Sequence, residues 1–365
     1  MNILIPVINF GKSGGYRVLS KFADELLQLG HNVDFISPET SIQPYYPTKA
    51  KILWANKKGN ISENSDNKPN LKESGFSIFL NLTKGLIKLP NDSYDVIISN
   101  HSLTALAIKI AGLQHKSIYY VQAYEAELLM LLGGLKNHLL SYLYPLSYKM
   151  NLFTIVNAEI YLDYKKLKAS RVLYPGVDFT LFYPNLEKPF NKNKIIIGTI
   201  GRMENFKGTR FIVDAFKELK KKYTDIQLHV AFGVEKDFIN DEGIHCFQPH
   251  GDKELGNFYR SLDYYICAGY IQLGAFHYPV AEAMSCGIPI ITTQYYPANE
   301  ANAWLVRPQN TRDIVSQFEL AQNDLFLKGE KVKQGLIDVK QFEWKDVAKK
   351  LNNFLNEFLQ SPKLK

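Results

Sequence analysis

The sequence predicts an α/β protein of two domains, each a parallel sheet flanked by helices, and three observations carry that prediction. The 365 residues exceed one typical domain and suffice for two hydrophobic cores. Short β-branched runs alternate with longer helical patterns along nearly the whole chain. A proline-rich stretch at 174–189, YPGVDFTLFYPNLEKP, separates two such series. The expected boundaries are 1–174 and 175–344, with a final helix over 345–365.

In the first series, a strand at Ile3–Ile8, a helix over about 15–29 and a strand at Val33–Ile36 make a βαβ unit. Further strands are expected at Val96–Ser99, Ile118–Val121 and Phe153–Val156, all in one parallel sheet. The segment 57–72, KKGNISENSDNKPNLK, is polar, Asn-rich and aperiodic, and reads as a surface loop. From Glu127 to Tyr148 the chain is strongly apolar and aromatic, but Gly133, Gly134, Lys136 and Pro145 interrupt it too often for a membrane span. Core helices are the expectation there, with a peripheral membrane face as the other reading.

The second series has a strand at Ile195–Ile200, a helix over about 209–222, strands at Ile226–Phe232 and Tyr264–Cys267, a helix over about 280–286, and a strand at Ile288–Thr292. The terminal WKDVAKKLNNFLNEFL sets Val347, Leu351, Phe354, Leu355 and Phe358 on one helical face, which needs a packing partner.

Composition excludes several function classes. Apolar residues form 46% of the chain and charged residues 22%, an ordinary globular balance. The net charge is +7, but the lysines are scattered or in runs such as Lys220–Lys222. They suit solvated helix faces, or attraction to anionic lipid or a phosphorylated substrate. No basic stripe interleaved with aromatics is present, so no nucleic-acid partner is expected. Cys246, Cys267 and Cys286 lack zinc spacing and read as buried small hydrophobes in a reducing compartment. The N-terminus, MNILIPVINFG, has no basic n-region and turns polar at Gly11 and Lys12, which suggests a cytosolic protein.

Several motifs carry chemistry. In GKSGGYRVL, Gly11, Gly14 and Gly15 follow the first strand and precede a helix, where glycine lets backbone N–H groups approach a ligand. A structural turn explains the loop equally well, and it is no GxGxxG nicotinamide fingerprint. TIGRMENFKG places Arg202 just past a strand and Lys207 five residues on. Two cations at a strand's carboxyl end suit a diphosphate, although solvated surface cations would read the same by spacing alone. In LGAFHYPVAEAMSCGIPIITT, Pro279 opens a helix that Gly287 and Pro289 end, and Glu282 is expected in its first turn. There it either receives hydrogen bonds from vicinal hydroxyls or stabilises the helix dipole.

Taken together, the GG loop, YPGVD, GR followed by KG, and PVAEAMSCGIPII resemble the retaining glycosyltransferase family 4, of the glycogen-synthase and mannosyltransferase-like superfamily. The resemblance covers nearly the whole chain. It implies the GT-B fold, two Rossmann-like domains facing across a cleft, with the final helix crossing back onto the first. It further implies that Arg202 and Lys207 hold the donor diphosphate and serve catalysis, Glu282 holds the donor ribose, and Gly14 and Gly15 approach the donor. The loop residues Ala275, Phe276 and His277 would belong to the donor site, with His277 either contacting the sugar or filling space. One departure stands out, because Gly274 occupies the position where the family usually carries a first carboxylate, and His277 replaces a common glycine.

YYVQAYEAE resembles the family's acceptor-side segment, making Gln122, Tyr124 and Glu125 acceptor-side candidates, with His101 of SNHS a fourth. Capping or helix-start roles fit each of them as well. The resemblance implies transfer from a nucleotide-diphosphate sugar to a glycan or lipid-linked acceptor, with retention, in bacterial surface polysaccharide synthesis. No cofactor or metal is expected, since there is no DxD motif. The expected place is the cytoplasm, with peripheral contact at the inner face of the cell membrane. A silent sugar-nucleotide-binding subunit and a GT-B-fold nucleotide-sugar epimerase are the alternatives.

Overall fold

The computed structural model describes residues 1–63, 73–90, 92–185, 194–201, 203–233, 238 and 240–361. The chain divides into two compact units, one of residues 1–175 and 344–365 and the other of residues 176–343.

The first unit contains β1 (Asn2–Pro6), α1 (Gly14–Gln28), β2 (Asn32–Pro38), β3 (Lys51–Ala55), β4 (Ile61–Ser62), α2 (Gly75–Lys88), β5 (Val96–Ser99), α3 (Ser102–Ile110), β6 (Ser117–Val121), α4 (Glu125–Leu132), α5 (Leu135–Leu143), α6 (Pro145–Tyr148), β7 (Phe153–Val156) and β8 (Arg171–Val172). Its sheet runs β4-β3-β2-β1-β5-β6-β7-β8. Every pairing is parallel except β3 with β4, where Ala55 faces Ile61 in antiparallel register. Because both faces of the central strands are covered, β1 reads as an unbroken apolar run, with Ile3, Leu4 and Ile5 all buried. Helix α1 buries Val18, Leu19, Phe22, Ala23 and Leu26, a stripe at helical spacing.

The second unit contains β9 (Ile195–Ile200), α7 (Thr209–Lys220), β10 (Ile226–Ala231), β11 (Ile244–Phe247), α8 (Gly251–Ser261), β12 (Tyr264–Cys267), α9 (Tyr278–Ser285), β13 (Ile290–Thr292), β14 (Trp304–Leu305), α10 (Thr311–Asn323) and α11 (Leu325–Asp338). Its sheet is parallel, in the order β11-β10-β9-β12-β13-β14. Ile197, Val213, Phe216, Leu228, Ile266 and Phe318 belong to the core formed with α7 and α10.

The chain ends in α12 (Trp344–Gln360), which belongs to the first unit. It buries Trp344, Val347, Ala348, Leu351, Leu355 and Phe358. The Trp344 ring meets Phe22 of α1 edge-on at 5.8 Å, and Phe358 lies 5.8 Å from Phe153. Asn352 Oδ1 bonds the His31 ring at 2.8 Å, and Glu357 pairs with Arg171.

Several expectations need correction. The first sheet is not wholly parallel, and β3, β4, β8, β11 and β14 were not foreseen. Four of these five are two-residue or edge strands, which carry too little pattern to recognise. The segment 57–72 is not loop throughout, since Ile61 and Ser62 pair with β3; residues 64–72 lie outside the described chain. Cys246 is exposed on the edge strand β11, whereas Cys267 and Cys286 are buried.

Of the apolar segment 127–148, only the end is core, with Tyr144 buried and α6 burying Ser147 and Tyr148, while most of α4 and α5 is not. Gly133 and Gly134, at φ +67° and +84°, break it into α4 and α5, and the buried side chains of these helices are Ala126 and Ser141. Leu135, Leu139 and Tyr142 are 89%, 60% and 62% exposed. Among the described residues, no helix is long and apolar enough to cross a membrane.

Candidate functional site

In each unit the strand order reverses at one point, between β1 and β5 in the first and between β9 and β12 in the second. Crevices outside the carboxyl ends of strands at such a point are where open α/β sheets take ligands.

In the second unit, β9 leads into the turn Asn205–Lys207, and β12 leads into the loop 268–277. The two are fastened together, since the backbone N–H of Tyr270 donates to the Phe206 carbonyl at 3.1 Å. Gly208, at φ +73°, starts α7, and a Cβ there would sit 2.0 Å from the Ala268 carbonyl oxygen. No other residue fits that contact. Lys207 is thereby held at the end of β12. Burial raises the Cys267 thiol above its ordinary pKa, and the Lys207 charge pulls it the other way. Arg202 lies outside the described residues.

The loop 268–277 is also tied to the segment after β13. The backbone N–H of His277 donates to the Tyr296 carbonyl at 2.9 Å, and that of Tyr296 donates to the Ala275 carbonyl at 3.1 Å. Phe276 packs against Tyr278, Tyr296 and Phe342. The His277 ring stacks on Tyr295 at 4.6 Å, with both ring nitrogens 3.9 Å from Cys267 Sγ. Lys207, Cys267, His277 and Tyr295 thus gather at the carboxyl ends of β9, β12 and β13. Gly274 has φ +89°, a left-handed backbone that disfavours any side chain, so a carboxylate-bearing residue is poorly accommodated there.

Glu282 does not sit in the first turn of its helix. Helix α9 begins at Tyr278, with His277 as its N-cap, which puts Glu282 in the second turn. Its side chain is 1% exposed, and one carboxylate oxygen accepts a hydrogen bond of 3.0 Å from the Tyr259 hydroxyl. A dipole role at the helix start is therefore replaced by a buried, hydrogen-bonded carboxylate.

In the first unit, Gly14 opens α1 directly after its N-cap, Ser13. The Gly15 carbonyl accepts a bond of 3.3 Å from the Gln122 side chain, so Gln122 secures the GG loop. His101 caps α3, with its Nδ1 accepting from the Leu103 N–H at 3.1 Å. The ring proton must then lie on Nε2, which faces Glu125 at 3.7 Å. Glu125 also accepts from the Ser102 N–H at 3.1 Å, so its carboxylate satisfies a buried backbone amide at the start of α3. Burial, with the Glu125 charge adding to it, pushes both Tyr16 and Tyr144 up to about 12. Tyr124 packs against Tyr148 and Tyr164.

Sequence reasoning passed over Tyr259, Tyr295 and Cys267 as site residues. For Tyr259 a signal existed, since Leu255, Phe258, Tyr259 and Leu262 recur at helical spacing and announce α8. Among the described residues, no group of three or more His, Cys, Asp or Glu is placed to hold a metal ion.

Two α/β units with mainly parallel sheets, the second with a lysine-bearing turn, a loop at 268–277 and a buried helix glutamate around its strand reversal, give the chain the GT-B fold. The family model described as "Glycosyl transferases group 1" matches residues 194–324. A D-inositol 3-phosphate glycosyltransferase of Arthrobacter sp. (strain FB24) is 25% identical over 200 residues, 48% of this chain and 47% of that one, so the match spans about half the relative's length. An uncharacterized glycosyltransferase of Haemophilus influenzae is 24% identical over 338 residues, covering 87% of this chain and 89% of the relative. In fold, the chain matches Anabaena HepE, solved in complex with UDP and glucose, with a TM-score of 0.72 at 14% identity over 98% of this chain and 100% of that one. The chain thus has the fold of the GT-B structures, and its residues 194–324 are similar to group 1 glycosyl transferases.

Proposed function

We propose that the enzyme moves a glycosyl unit, with retention of configuration, from a nucleoside diphosphate sugar to a glycan or lipid-linked acceptor in bacterial surface polysaccharide synthesis. It would work on the cytoplasmic side of the cell membrane. The observation that carries the reading is the gathering of the Lys207 turn, the 268–277 loop and the Glu282 helix in one unit, around the carboxyl ends of β9, β12 and β13.

In this reading Lys207, with Arg202, neutralises the diphosphate as it leaves and positive charge develops on the sugar. Preorganised cations of this kind supply the largest share of rate acceleration where charge builds in the transition state. Glu282 receives the ribose hydroxyls on the carboxylate that Tyr259 orients. His277, held against Tyr295, and the backbone of Ala275 and Phe276 bound the sugar. Gly14 and Gly15 approach the donor, and His101, Gln122, Tyr124 and Glu125 face the acceptor. No metal is needed to offset the leaving group's charge.

UDP, present in the HepE structure, is the first nucleotide to try. The test is a thermal-shift screen over UDP, GDP, dTDP, ADP and CMP sugars, followed by a transfer assay on wild type and Arg202→Ala. One donor class should raise the melting temperature, and Arg202→Ala should abolish transfer. The left-handed Gly274 favours a second reading, a sugar-nucleotide-binding subunit without turnover. Tight nucleotide binding with no turnover of any activated sugar would decide for that subunit. An epimerase is excluded when free nucleotide appears only in the presence of acceptor.

A further inference from the structure

Helix α11 turns an uncommitted face to solvent. Its inner side is fixed within the second unit, where Gly335 is buried and a Cβ on it would touch Met284 of α9. Lys328 donates to the Tyr264 hydroxyl at 3.1 Å and Lys331 to the Ala303 carbonyl at 3.1 Å, so both lysines reach back into that unit. On the side away from Gly335, Phe326, Glu330, Lys333 and Ile337 recur at intervals of four, three and four residues and form one stripe. All four are exposed, Phe326 by 81% and Ile337 by 50%. Among the described residues, the Glu330 and Lys333 side chains have no ion-pair partner.

A glycine borders the stripe without an internal reason. Glycine weakens a helix interior, and at Gly329 a Cβ would meet nothing within 4 Å. Packing inside the unit therefore does not call for it. A bare backbone at that point suits the close approach of a second helix from outside.

The stripe is complementary to itself. Two copies of α11 packed antiparallel about a two-fold axis between Lys331 and Val332 bring Phe326 against Ile337 of the second copy, and Glu330 against Lys333 of the second copy. Symmetry repeats each contact, which gives apolar contacts at both ends and two ion pairs in the middle. Parallel packing would instead set Glu330 on Glu330 and Lys333 on Lys333, and like charge disfavours it.

We infer that the outer face of α11 is a homodimer interface, formed with a second copy of this chain in antiparallel register. The inference stands independently of the donor and of the reaction. A 14-residue helix is about 21 Å long, so the contact is smaller than a standard interface and the dimer is weak, with a dissociation constant of about 1–100 µM.

The test is sedimentation velocity of the full chain from about 1 to 200 µM, a range that brackets that constant. Wild type should pass from monomer to dimer across it. Phe326→Ser with Ile337→Ser should raise the dissociation constant at least about tenfold. Glu330→Lys and Lys333→Glu, each alone, should weaken the dimer several-fold, since each sets like charges face to face at both central contacts. Mixed together, these two single variants should associate with each other about as tightly as wild type, because both central pairs are then unlike. The exchange Glu330→Lys with Lys333→Glu in one chain should restore association in the same way. Melting temperatures at low concentration should stay near wild type, since the four side chains are exposed. Phe326→Ala with Ile337→Ala takes the place of the serine pair if that one fails to fold.

A wild type that stays monomeric throughout the range would overturn the inference. So would a dimer that survives removal of both apolar side chains, because its contact lies elsewhere. A dimer that the exchanged charges fail to restore would likewise overturn the antiparallel register.

Discussion

Tyr259 donates its hydroxyl to the Glu282 carboxylate at 3.0 Å, and both side chains are buried within the second unit. Helix α8 thus supports a carboxylate carried by α9. Burial first, and the Glu282 charge next, raise the Tyr259 phenol well above its ordinary pKa, so it remains a donor at any working pH. A buried carboxylate needs such partners, because leaving one of its bonds unmade exposes the full desolvation cost.

Tyr259→Phe keeps the ring and removes that one bond. Stability should fall by about 1–3 kcal/mol in urea denaturation. Donor KM should rise several-fold while kcat changes little, because Glu282 then holds the ribose less firmly. An unchanged donor KM in a folded variant would detach Glu282 from the donor site.

Lys207→Ala tests the diphosphate role directly. The turnover number should fall by about 10²–10³, the effect of deleting one preorganised group that stabilises transition-state charge. Arg202→Ala should do the same. Steady-state kinetics with the donor found by the thermal screen is the measurement, and near-wild-type turnover in either variant would remove that cation from the leaving-group site.

Gly208→Ala places a methyl group against the Ala268 carbonyl, in a left-handed backbone. The second unit should lose at least about 2 kcal/mol. Gly274→Glu should not rescue or improve transfer, since its φ of +89° costs about 1–2 kcal/mol for a residue with a side chain. Equilibrium denaturation and the transfer assay read the two effects.

His229 supplies a pH dependence. Burial, with His245 and Lys194 adding to it, lowers its pKa from 6.5 to about 4. The folded ring therefore refuses a proton that the unfolded chain accepts. Its contribution is fully present above pH 6.5 and is lost as pH falls from there through 4. Partial solvent access limits the loss to roughly 1–2 kcal/mol. His229→Gln should flatten the stability profile between those two values, measured by urea denaturation across the range.

Trp344→Ala leaves a cavity under α12 where the indole meets Phe22. The first unit should lose about 3–5 kcal/mol. Thermal melting of this variant, followed by near-ultraviolet circular dichroism, should show early loss of tertiary signal.

The positions of several candidate residues were legible in the sequence. Lys207 follows a strand, Glu282 lies on the helix after a proline, and Gly274 departs from the pattern the sequence otherwise resembles, all visible in one dimension. The register of Glu282 was not, because Pro279 serves at the second helical position and the helix starts at Tyr278. Tyr259 and Tyr295 were missed for a different reason. Each acts on a residue 18 or more positions away, and no local pattern records such a pairing.

The α4–α5 hairpin shows the same limit from the other side. Its apolar sequence promises burial, and only tertiary structure decides whether a neighbour exists to bury it. By itself the sequence determined the two βα series, their central apolar strands other than β3, the glycine turns and the apolar face of α12, because hydrophobic period and turn chemistry are local properties of the chain. Tertiary structure alone decided which strand lies beside which. With that it set the strand reversals, the carboxylate that Tyr259 holds, and the leucines left in solvent, since each depends on groups brought together from distant positions.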